Sequence, residues 1–386
     1  MKTLIELYDD RPIENVLASE VFMPEKTVFL CPSEVFQNKK AKNVIKEYLK
    51  SKGLQTEPVF LESSLYNGEK IAAQLRKILS EYEDCVVDIT GGTDAALFAC
   101  GRVCAETGLR AFTYSRKRNS FFSIYNAPFS EELPCGVEHK IEDCFRMAGG
   151  VMRMGRVDNK LLGKYENTFA PFFRIYLSHK TEWAKAVTYI QRISQFSSLS
   201  VRGKYSVSGE RGAAITVPET ILREFEKIGY IRDLSVSKEA VSFTFADNTV
   251  RAWLRDVGSV LELFVYRECV ASGLFGDVRA SAVVDWEGTG GRDDVTNEID
   301  VMAMKGILPV FISCKTCAVT TEALNELAIL RDRFGGKGAK AAIVTTQTCR
   351  TITRNRASEL QIDVIDLSDL KKGKLKERLE TLLEER

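Results

Sequence analysis

Two short apolar segments, separated by Gly306, constrain the fold more than any other feature of the chain. They are Thr296–Val301 and Leu308–Lys315, and both are rich in β-branched and apolar residues. A glycine between two such runs is typical of a tight turn, so the pattern predicts a β-hairpin. Side chains alternate between the two faces of a strand, so the sequence also predicts which of them lie together.

Polar and charged side chains fall on one face of each predicted strand. Glu298 and Asp300 share a face of the first strand, and Ser313 and Lys315 share a face of the second. Carboxylates are preferred ligands of Mg²⁺ or Mn²⁺, and a neighbouring ammonium can orient or deprotonate water. These four residues are therefore candidate catalytic residues of a metal-dependent phosphodiesterase. The alternative is an exposed hairpin with ordinary surface charges, because two acids at this spacing are a weak signal alone.

The elements around the hairpin indicate a particular α/β domain, residues 251–386. The patterns there read helix, three strands, helix, strand, helix and strand. This order resembles the core of the restriction-endonuclease-like fold. The resemblance implies an acid on the second strand, (D/E)-x-K on the third and a glutamate from the first helix. Asp300, Lys315 and Glu262 match three of these positions, whereas Ser313 stands where the second acid is expected.

The serine at position 313 affects the expected metal site. A hydroxyl is a weaker ligand than a carboxylate for a hard divalent cation, so another oxygen must replace it. The predicted metal ligands are Asp300, Glu298, Glu262 and a backbone carbonyl at Cys314. Glu262 is equally compatible with a surface acid on an amphipathic helix.

The first 130 residues alternate short apolar strands with helical patterns. Five strands are predicted between Thr3 and Tyr114. Repeated β-α units of this length predict a Rossmann-like parallel sheet with helices on both faces. Ligands of such sheets bind beyond the carboxyl ends of the strands.

Two strand ends in this segment carry candidate phosphate-binding residues. The first strand is followed by Asp10 and Arg11. The fourth strand is followed by Thr90, Gly91, Gly92, Thr93 and Asp94. Paired glycines let a ligand approach the backbone, and N–H groups at a helix start attract phosphate. The alternative is that Thr93 or Asp94 only caps the next helix.

A basic turn after the fifth strand contains Arg116 and Lys117. We expect these cations to neutralise phosphates near the same edge of the sheet. The alternative is a solvated hairpin turn, which an isolated charge run also fits.

Residues 131–250 are predicted to form a connector. Helical patterns are followed by a polar loop, and then by a helix and two strands that resemble a winged-helix unit. Such a unit can bind DNA or bridge two domains. Few basic residues lie in its helix, which favours the bridging role.

Composition narrows the class of protein further. Lysine and arginine number 54 against 53 aspartate and glutamate, so a nucleic acid must bind at local basic patches. The ten cysteines contain one C-x-x-C spacing, Cys314 to Cys317, without the second half of a zinc site. We therefore expect reduced cysteines in a cytoplasmic protein. No apolar run suits a signal peptide or a membrane span, so no membrane partner is expected.

Taken together, the two ends resemble the CRISPR ancillary nucleases, in which a sensor of cyclic oligoadenylate, the CARF domain, precedes a PD-(D/E)xK nuclease domain. The resemblance rests on Asp88–Thr93, Asn297–Asp300, Ile312–Thr316 and the basic helix at Arg354–Ala357. It implies a homodimer that binds cyclic tetra-adenylate on its two-fold axis. It also implies nonspecific cleavage of RNA, DNA or both, with Mn²⁺ or Mg²⁺, in type III CRISPR antiviral defence.

Two other functions remain open at this point. The first is a nonenzymatic, nucleotide-responsive regulator, in which Ser313 marks a decayed site and the connector binds DNA. The second is a sensor that cleaves its own activator.

Overall fold

The computed structural model describes residues 1–9, 13–64, 66–153, 155, 157–194, 198–209, 212–288, 295–336 and 338–384. Two predicted ligand contacts, Asp10 and Arg11, lie outside these ranges.

The described chain alternates strands and helices. The strands are β1 Thr3–Leu7, β2 Lys26–Cys31, β3 Glu57–Glu62, β4 Cys85–Asp88, β5 Arg110–Ser115, β6 Ser120–Tyr125, β7 Glu132–Pro134, β8 Val151–Arg153, β9 Ser200–Lys204, β10 Ser206–Ser208, β11 Ala214–Thr216, β12 Ile231–Val236, β13 Ala240–Phe245, β14 Asp277–Asp285, β15 Thr296–Lys305, β16 Leu308–Lys315, β17 Lys340–Thr345 and β18 Asp363–Ile365. The helices are α1 Glu14–Phe22, α2 Ser33–Gln37, α3 Lys39–Ser51, α4 Gly68–Glu81, α5 Asp94–Thr107, α6 Ile141–Met147, α7 Asn159–Ser178, α8 Trp183–Ile193, α9 Glu219–Lys227, α10 Asn248–Leu254, α11 Ser259–Ser272, α12 Thr321–Leu330, α13 Thr351–Glu359, α14 Leu367–Lys371 and α15 Leu375–Leu383. A π-helical turn, Arg331–Gly335, continues α12.

The N-terminal sheet has the strand order β3-β2-β1-β4-β5-β6-β7. Its first five strands are parallel, and β6 and β7 are antiparallel additions. All five residues of β1 are buried, because α4 and α5 cover one face of the sheet and α1 and α3 cover the other. The chain order reverses between β1 and β4, and such a switch point is where open parallel sheets bind ligands. The predicted Rossmann-like sheet is confirmed.

The connector packs as part of the C-terminal domain. Its sheet has the order β12-β13-β9, and its helices α7 and α9 enclose Phe172, Tyr230 and Trp253. The same apolar core continues into α11, where Phe264 stacks on Phe173 with ring centroids 4.0 Å apart. The core of the connector is therefore continuous with that of the C-terminal domain.

The C-terminal sheet has the order β18-β17-β16-β15-β14-β8. Strands β14, β15 and β16 are antiparallel, whereas β16, β17 and β18 are parallel. The predicted restriction-endonuclease-like order of elements is therefore present. The edge strand β8, Val151–Arg153, pairs with β14, and β7 extends the first sheet to Pro134. The first sheet thus continues past residue 130, and the second sheet includes a strand from well before residue 250. The sequence places domain boundaries at these two positions.

One apolar cluster joins the first and last domains. Phe145 of α6 meets Phe334 edge to face, with ring centroids 5.4 Å apart, and buried Ile307 belongs to the same cluster. The backbone N–H of His139 donates to the carbonyl of Gly306 at 3.1 Å. The predicted hairpin turn is therefore held against the segment that follows the N-terminal sheet. Among the helices within the described ranges, none is long and apolar enough to cross a lipid bilayer.

Candidate active site and candidate ligand site

The carboxylate of Asp300 lies where β15 and β16 separate. Residue pairing between these strands ends at Val301 and Ile312. Just beyond this point, the same Asp300 oxygen accepts hydrogen bonds from the Cys314 N–H at 2.6 Å and from the Ser313 hydroxyl at 3.1 Å. A side chain thus takes the place of the strand-to-strand pairing, which fixes the carboxylate beside the backbone of β16.

The other acid of the hairpin, Glu298, is bound by a residue at a distortion in the neighbouring strand β14. Ser281 has a positive φ of 54°, and its hydroxyl donates to a Glu298 carboxylate oxygen. The strand pairs on either side of it, Ala280 with Val301 and Ala282 with Ile299, remain in register. Ala280 and Ala282 nevertheless enter different apolar clusters, although a regular strand would place them on one face. Local irregularities of this kind re-aim side chains near functional sites.

Asp300 is partly buried, with 18% of its side chain exposed, and lies beside the amine of Lys315. The Lys315 Nζ lies 3.7 Å from the Asp300 carboxylate. Burial raises the pKa of Asp300 above its usual range, and the lysine and the two hydrogen bonds from β16 only partly oppose this. An ionised Asp300 is therefore short of compensating positive charge, which is the electrostatic setting that favours binding of a cation.

These side chains line one cavity of about 70 Å³. Its wall on the sheet includes Glu298, Asp300, Ser313 and Lys315. The opposite wall is α12, which contributes Glu326. The structure therefore brings together all four predicted catalytic residues and adds one acid that sequence reasoning missed.

The donor set of the cavity suits a hard divalent cation. It consists of carboxylate and hydroxyl oxygens, the ligand type that Mg²⁺ and Mn²⁺ prefer. Within the ranges that the structure describes, however, no group of three or more histidine, cysteine, aspartate or glutamate side chains is already arranged to hold an ion.

One predicted metal ligand, Glu262, lies on the other side of the sheet, where the thiol of Cys314 also lies. The Cys314 side chain is buried among residues of α11, and its pKa is raised well above the usual range by burial, by Asp300 and by Glu262. Glu262 is thus near that thiol, on the α11 side of the sheet, and it does not line the cavity. The placement of Glu262 differs from the expectation because α11 covers the face of the sheet opposite Ser313 and Lys315. The Cys314 N–H donates to Asp300, and the backbone carbonyl predicted as a ligand at this position stays a prediction.

At the switch point of the N-terminal sheet, a buried acid orders the turn after β4. Asp88 accepts hydrogen bonds from the backbone N–H and the hydroxyl of Thr90, and the Thr90 hydroxyl accepts the N–H of Tyr114 at 2.6 Å. Gly91 is required because a Cβ there would lie 2.2 Å from the carbonyl oxygen of Leu7. Gly92 has a φ of +88°, which favours glycine.

The helix that follows this turn is capped by Thr93, which was one of the alternatives given by the sequence. The Thr93 hydroxyl accepts the N–H of Ala96 at 3.3 Å, so Thr93 caps α5, and Asp94 is the first helical residue. Capping uses one N–H group of the first turn. The position of the turn beside β1 agrees with the predicted ligand site, because both strand ends meet there.

Two buried acids lie beneath this turn. Glu6 of β1 and Asp88 of β4 are neighbours in the parallel sheet, and both are 1% exposed. Burial raises the pKa of Asp88 from 3.8 to about 7, against the hydrogen bonds from Thr90. Burial and the charge of Asp88 raise the pKa of Glu6 well above its usual range. Near neutral pH these two acids therefore carry less negative charge than two exposed carboxylates.

The two predicted phosphate contacts in the basic turn, Arg116 and Lys117, lie in different environments. Arg116 is 16% exposed and forms an ion pair with buried Glu14 at 3.0 Å. Its side chain also extends to the turn before β17, where a Cβ on Gly338 would lie 2.8 Å from an Arg116 nitrogen. Arg116 thus faces the C-terminal domain, unlike the solvent-facing contact expected from sequence. Lys117 lies exposed in the hairpin turn between β5 and β6.

The chain is similar to a known nuclease domain family and to several solved structures. Residues 249–384 match the family model described as Card1-like, endonuclease domain. A comparison with curated proteins found no match.

The solved structures extend the similarity to the whole chain. Protein VC1899 from Vibrio cholerae has a TM-score of 0.77 at 17% identity, covering 98% of this chain and 97% of that one. Can2 from Sulfobacillus thermosulfidooxidans, in complex with cyclic tetra-adenylate, has a TM-score of 0.69 at 17% identity, covering 100% and 98%. A type III CRISPR defence DNA nuclease activated by cyclic oligoadenylate has a TM-score of 0.50 at 14% identity, covering 96% of this chain and 51% of that one. These matches confirm the predicted fold class.

The raised pKa of Asp88 predicts a pH dependence of stability. Between pH 3.8 and about 7 the folded protein retains a proton that the unfolded chain releases. This contribution is present in full below the unfolded pKa and is lost as pH rises through the folded pKa. Asp88→Asn, which keeps an oxygen to accept from Thr90, should therefore gain thermal stability relative to the unmodified protein as pH rises from about 4 to about 8.

Thermal unfolding across this pH range measures the difference. Asp233→Asn is the matched control, since it makes the same chemical change at a side chain that is 78% exposed. A difference for Asp88→Asn that stays constant across the range would show that Asp88 titrates normally.

Proposed function

We propose that this chain, whose residues 249–384 form a Card1-like endonuclease domain, is a metal-dependent endonuclease that cyclic tetra-adenylate activates in type III CRISPR antiviral defence. The observation that carries the proposal is the cavity in which Asp300, Ser313 and Lys315 meet at the positions of the (D/E)-x-K pattern. The resemblance to the CRISPR ancillary nucleases supports the sensing role. So does the similarity in fold to Can2, whose structure contains cyclic tetra-adenylate.

Each residue of the cavity has a role in hydrolysis of a phosphodiester. Asp300 and Glu298 would hold Mn²⁺ or Mg²⁺, and such an ion supplies polarisation of a phosphate oxygen and acidification of water. Lys315 orients or deprotonates the attacking water and stabilises negative charge on the phosphate. The water oxygen bonds to phosphorus, the bond from phosphorus to the leaving oxygen breaks, and that oxygen takes up a proton. None of these steps involves a contact with a nucleobase, which fits nonspecific cleavage of RNA, DNA or both.

A ring with repeated phosphates favours a symmetric receptor. Two copies of the turn Thr90–Asp94 around a two-fold axis present the same N–H groups to opposite sides of the ring. Phe98 lies one helical turn beyond Asp94 and is 75% exposed, and Tyr66 is 82% exposed. Exposed aromatic side chains are enriched in protein interfaces. We propose that a second copy of this chain covers Phe98 in a homodimer.

The contact between domains provides a route from sensor to nuclease. Glu14 begins α1, directly after the segment that follows β1. Its partner Arg116 extends to the turn at Gly338, and Phe334 of the π-helical turn packs on Phe145. The π-helical turn continues α12, which forms one wall of the catalytic cavity. Movement at the carboxyl end of β1 is thus mechanically connected to this wall.

Cleavage assays test the proposed function directly. The protein is incubated with Mn²⁺ and labelled RNA, single-stranded DNA or plasmid, with and without cyclic tetra-adenylate, and cleavage is expected only with the ring. Asp300→Asn or Lys315→Ala should lower the rate at least ~100-fold, because each removes a group used in the chemical step. Lys305→Ala, at the far, exposed end of β15, is the control and should cut normally.

Two results would count against this assignment. Undiminished cutting by Asp300→Asn or Lys315→Ala would move the chemistry to other residues. Salt-sensitive duplex binding without cleavage by the unmodified protein would favour the nucleotide-responsive regulator instead.

Phe98→Asp tests the proposed homodimer. A carboxylate in an apolar interface leaves a charge without water, so the variant should sediment as a monomer and lose ring-activated cleavage. Ile352→Asp is the control because Ile352 is equally exposed, at 76%, on α13 of the other domain. A Phe98→Asp protein that sediments like the unmodified protein excludes this surface as the interface.

Arg116→Met tests the route between domains. The change keeps side-chain length but removes the ion pair with Glu14, so we expect ring-activated cleavage to fall at least ~10-fold, since interactions along a coupling route modulate it by up to about 2 kcal/mol. Binding of cyclic tetra-adenylate, followed by calorimetry, should change much less than cleavage. Arg118→Met is the control, because Arg118 pairs with Glu132 inside the first domain. A parallel loss of binding and cleavage would identify Arg116 as a ligand contact.

A further inference from the structure

The catalytic cavity has an acidic residue on the wall opposite the hairpin. Helix α12 contributes Ala323, Glu326, Leu327 and Leu330 to this wall. Glu326 is the charged residue among them. Glu326 therefore lines the same cavity as Asp300 and Lys315, although it comes from a different element of the fold.

The position of Ser313 explains why an acid on this helix matters. Ser313 occupies the position of the second acid, and its hydroxyl is already used as a donor to Asp300 at 3.1 Å. Ser313 and Lys315 point to the side of the sheet that α12 covers, whereas Cys314 points to the side that α11 covers. A replacement for the missing carboxylate must reach the cavity from the α12 side, which Glu262 does not.

The side chain of Glu326 is oriented by a neutral hydrogen-bond chain. The indole N–H of Trp286 donates to the Asn297 amide oxygen at 2.8 Å, which directs the amide nitrogen outward. That nitrogen donates to a Glu326 carboxylate oxygen at 3.1 Å. The neutral amide orients the carboxylate and leaves its negative charge in place. A lysine or arginine at the same position would neutralise that charge. Second-layer hydrogen bonds of this type position carboxylate ligands around metal ions.

We propose that Glu326 supplies the second acidic metal ligand that Ser313 cannot supply, completing a divalent-cation site with Asp300 and Glu298. This inference rests on the proposed nuclease function and assigns a residue to it. In the described residues the three acids are not yet arranged around an ion. Glu326 is exposed on α12, so the proposal requires a change of its rotamer or a small shift of the helix to bring its carboxylate to the ion. The ion is thus bound between the sheet and the helix, and α12 becomes part of the assembled site.

Metal binding to the whole protein tests this assignment apart from activity. Titration with Mn²⁺ is followed by calorimetry in the presence of cyclic tetra-adenylate. Glu326→Gln keeps the side-chain length and should weaken Mn²⁺ binding about 10-fold or more, the scale seen for losses around metal sites. Glu322→Gln, one helical turn earlier on α12 and outside the cavity lining, should bind Mn²⁺ within about 2-fold of the unmodified protein. Thermal unfolding without metal checks that each variant is folded.

A second variant asks whether Glu326 replaces the missing acid. Adding Ser313→Glu to Glu326→Gln restores a carboxylate at the usual strand position, so this double variant should recover Mn²⁺ binding. Recovery supports the substitution of one acid for the other. Failure of the folded double variant to recover Mn²⁺ binding overturns it, as does normal Mn²⁺ binding by Glu326→Gln.

Asp300→Asn separates the inference from the proposed function. If Asp300→Asn abolishes Mn²⁺ binding while Glu326→Gln leaves it unchanged, the nuclease site stands and the role of Glu326 is wrong. If neither change affects Mn²⁺ binding, the ion binds elsewhere and the proposed catalytic cavity fails as well.

Discussion

The Asp300 carboxylate between β15 and β16 is the interaction on which the candidate nuclease site depends. It accepts the Cys314 N–H and the Ser313 hydroxyl at the point where strand pairing stops. A buried carboxylate is costly unless it is compensated, and here the pKa remains raised despite Lys315 at 3.7 Å. Burial therefore disfavours the ionised form of Asp300 more than its contacts favour it. A cation bound in the cavity would favour that form and stabilise the folded protein at the same time.

The N-terminal domain shows the same arrangement at another strand end. Asp88 is buried beside Glu6, and it fixes the turn after β4 through Thr90. Because burial raises both pKa values, protonation reduces negative charge beneath a turn that is expected to face phosphates. At both positions, burying a carboxylate costs folding stability and fixes the position of the acid. Functional sites commonly carry such a cost. In the N-terminal domain the acid orders the turn after β4, whereas in the C-terminal domain it lines the cavity itself.

Local patterns in the sequence were sufficient for much of this fold. Gly306 between two apolar runs predicted the hairpin. Alternation predicted the shared face of Ser313 and Lys315, because side chains along a strand have a two-residue period. The same rule placed Cys314 on the opposite face, so its thiol was never a candidate for the cavity. Repeated β-α units predicted the parallel sheet, because its strands are short apolar runs between helices.

The features that sequence did not reveal depend on contacts between distant segments. Glu326 lies on an ordinary helical pattern, and only the packing of α12 over the hairpin brings it to the cavity. Arg116 lies in a basic turn, but its partner Glu14 is about one hundred residues away. Strand β8 has three residues and joins a sheet formed almost entirely by later segments. In each case the local pattern fits several structures, and tertiary packing selects one.

The apolar contact between the domains limits how a signal can pass to the nuclease. Phe145, Ile307, Phe334 and Met147 are buried in one cluster that both domains share. Exposing four such side chains would cost roughly 6–12 kcal/mol, at 1.5–3 kcal/mol each. A ligand that binds one state ~10⁴-fold more tightly supplies only about 5.5 kcal/mol. Separation of the two domains is therefore an unfavourable response to a bound ligand. A small shift of α12 and the π-helical turn with this cluster intact fits within the free energy that a ligand provides.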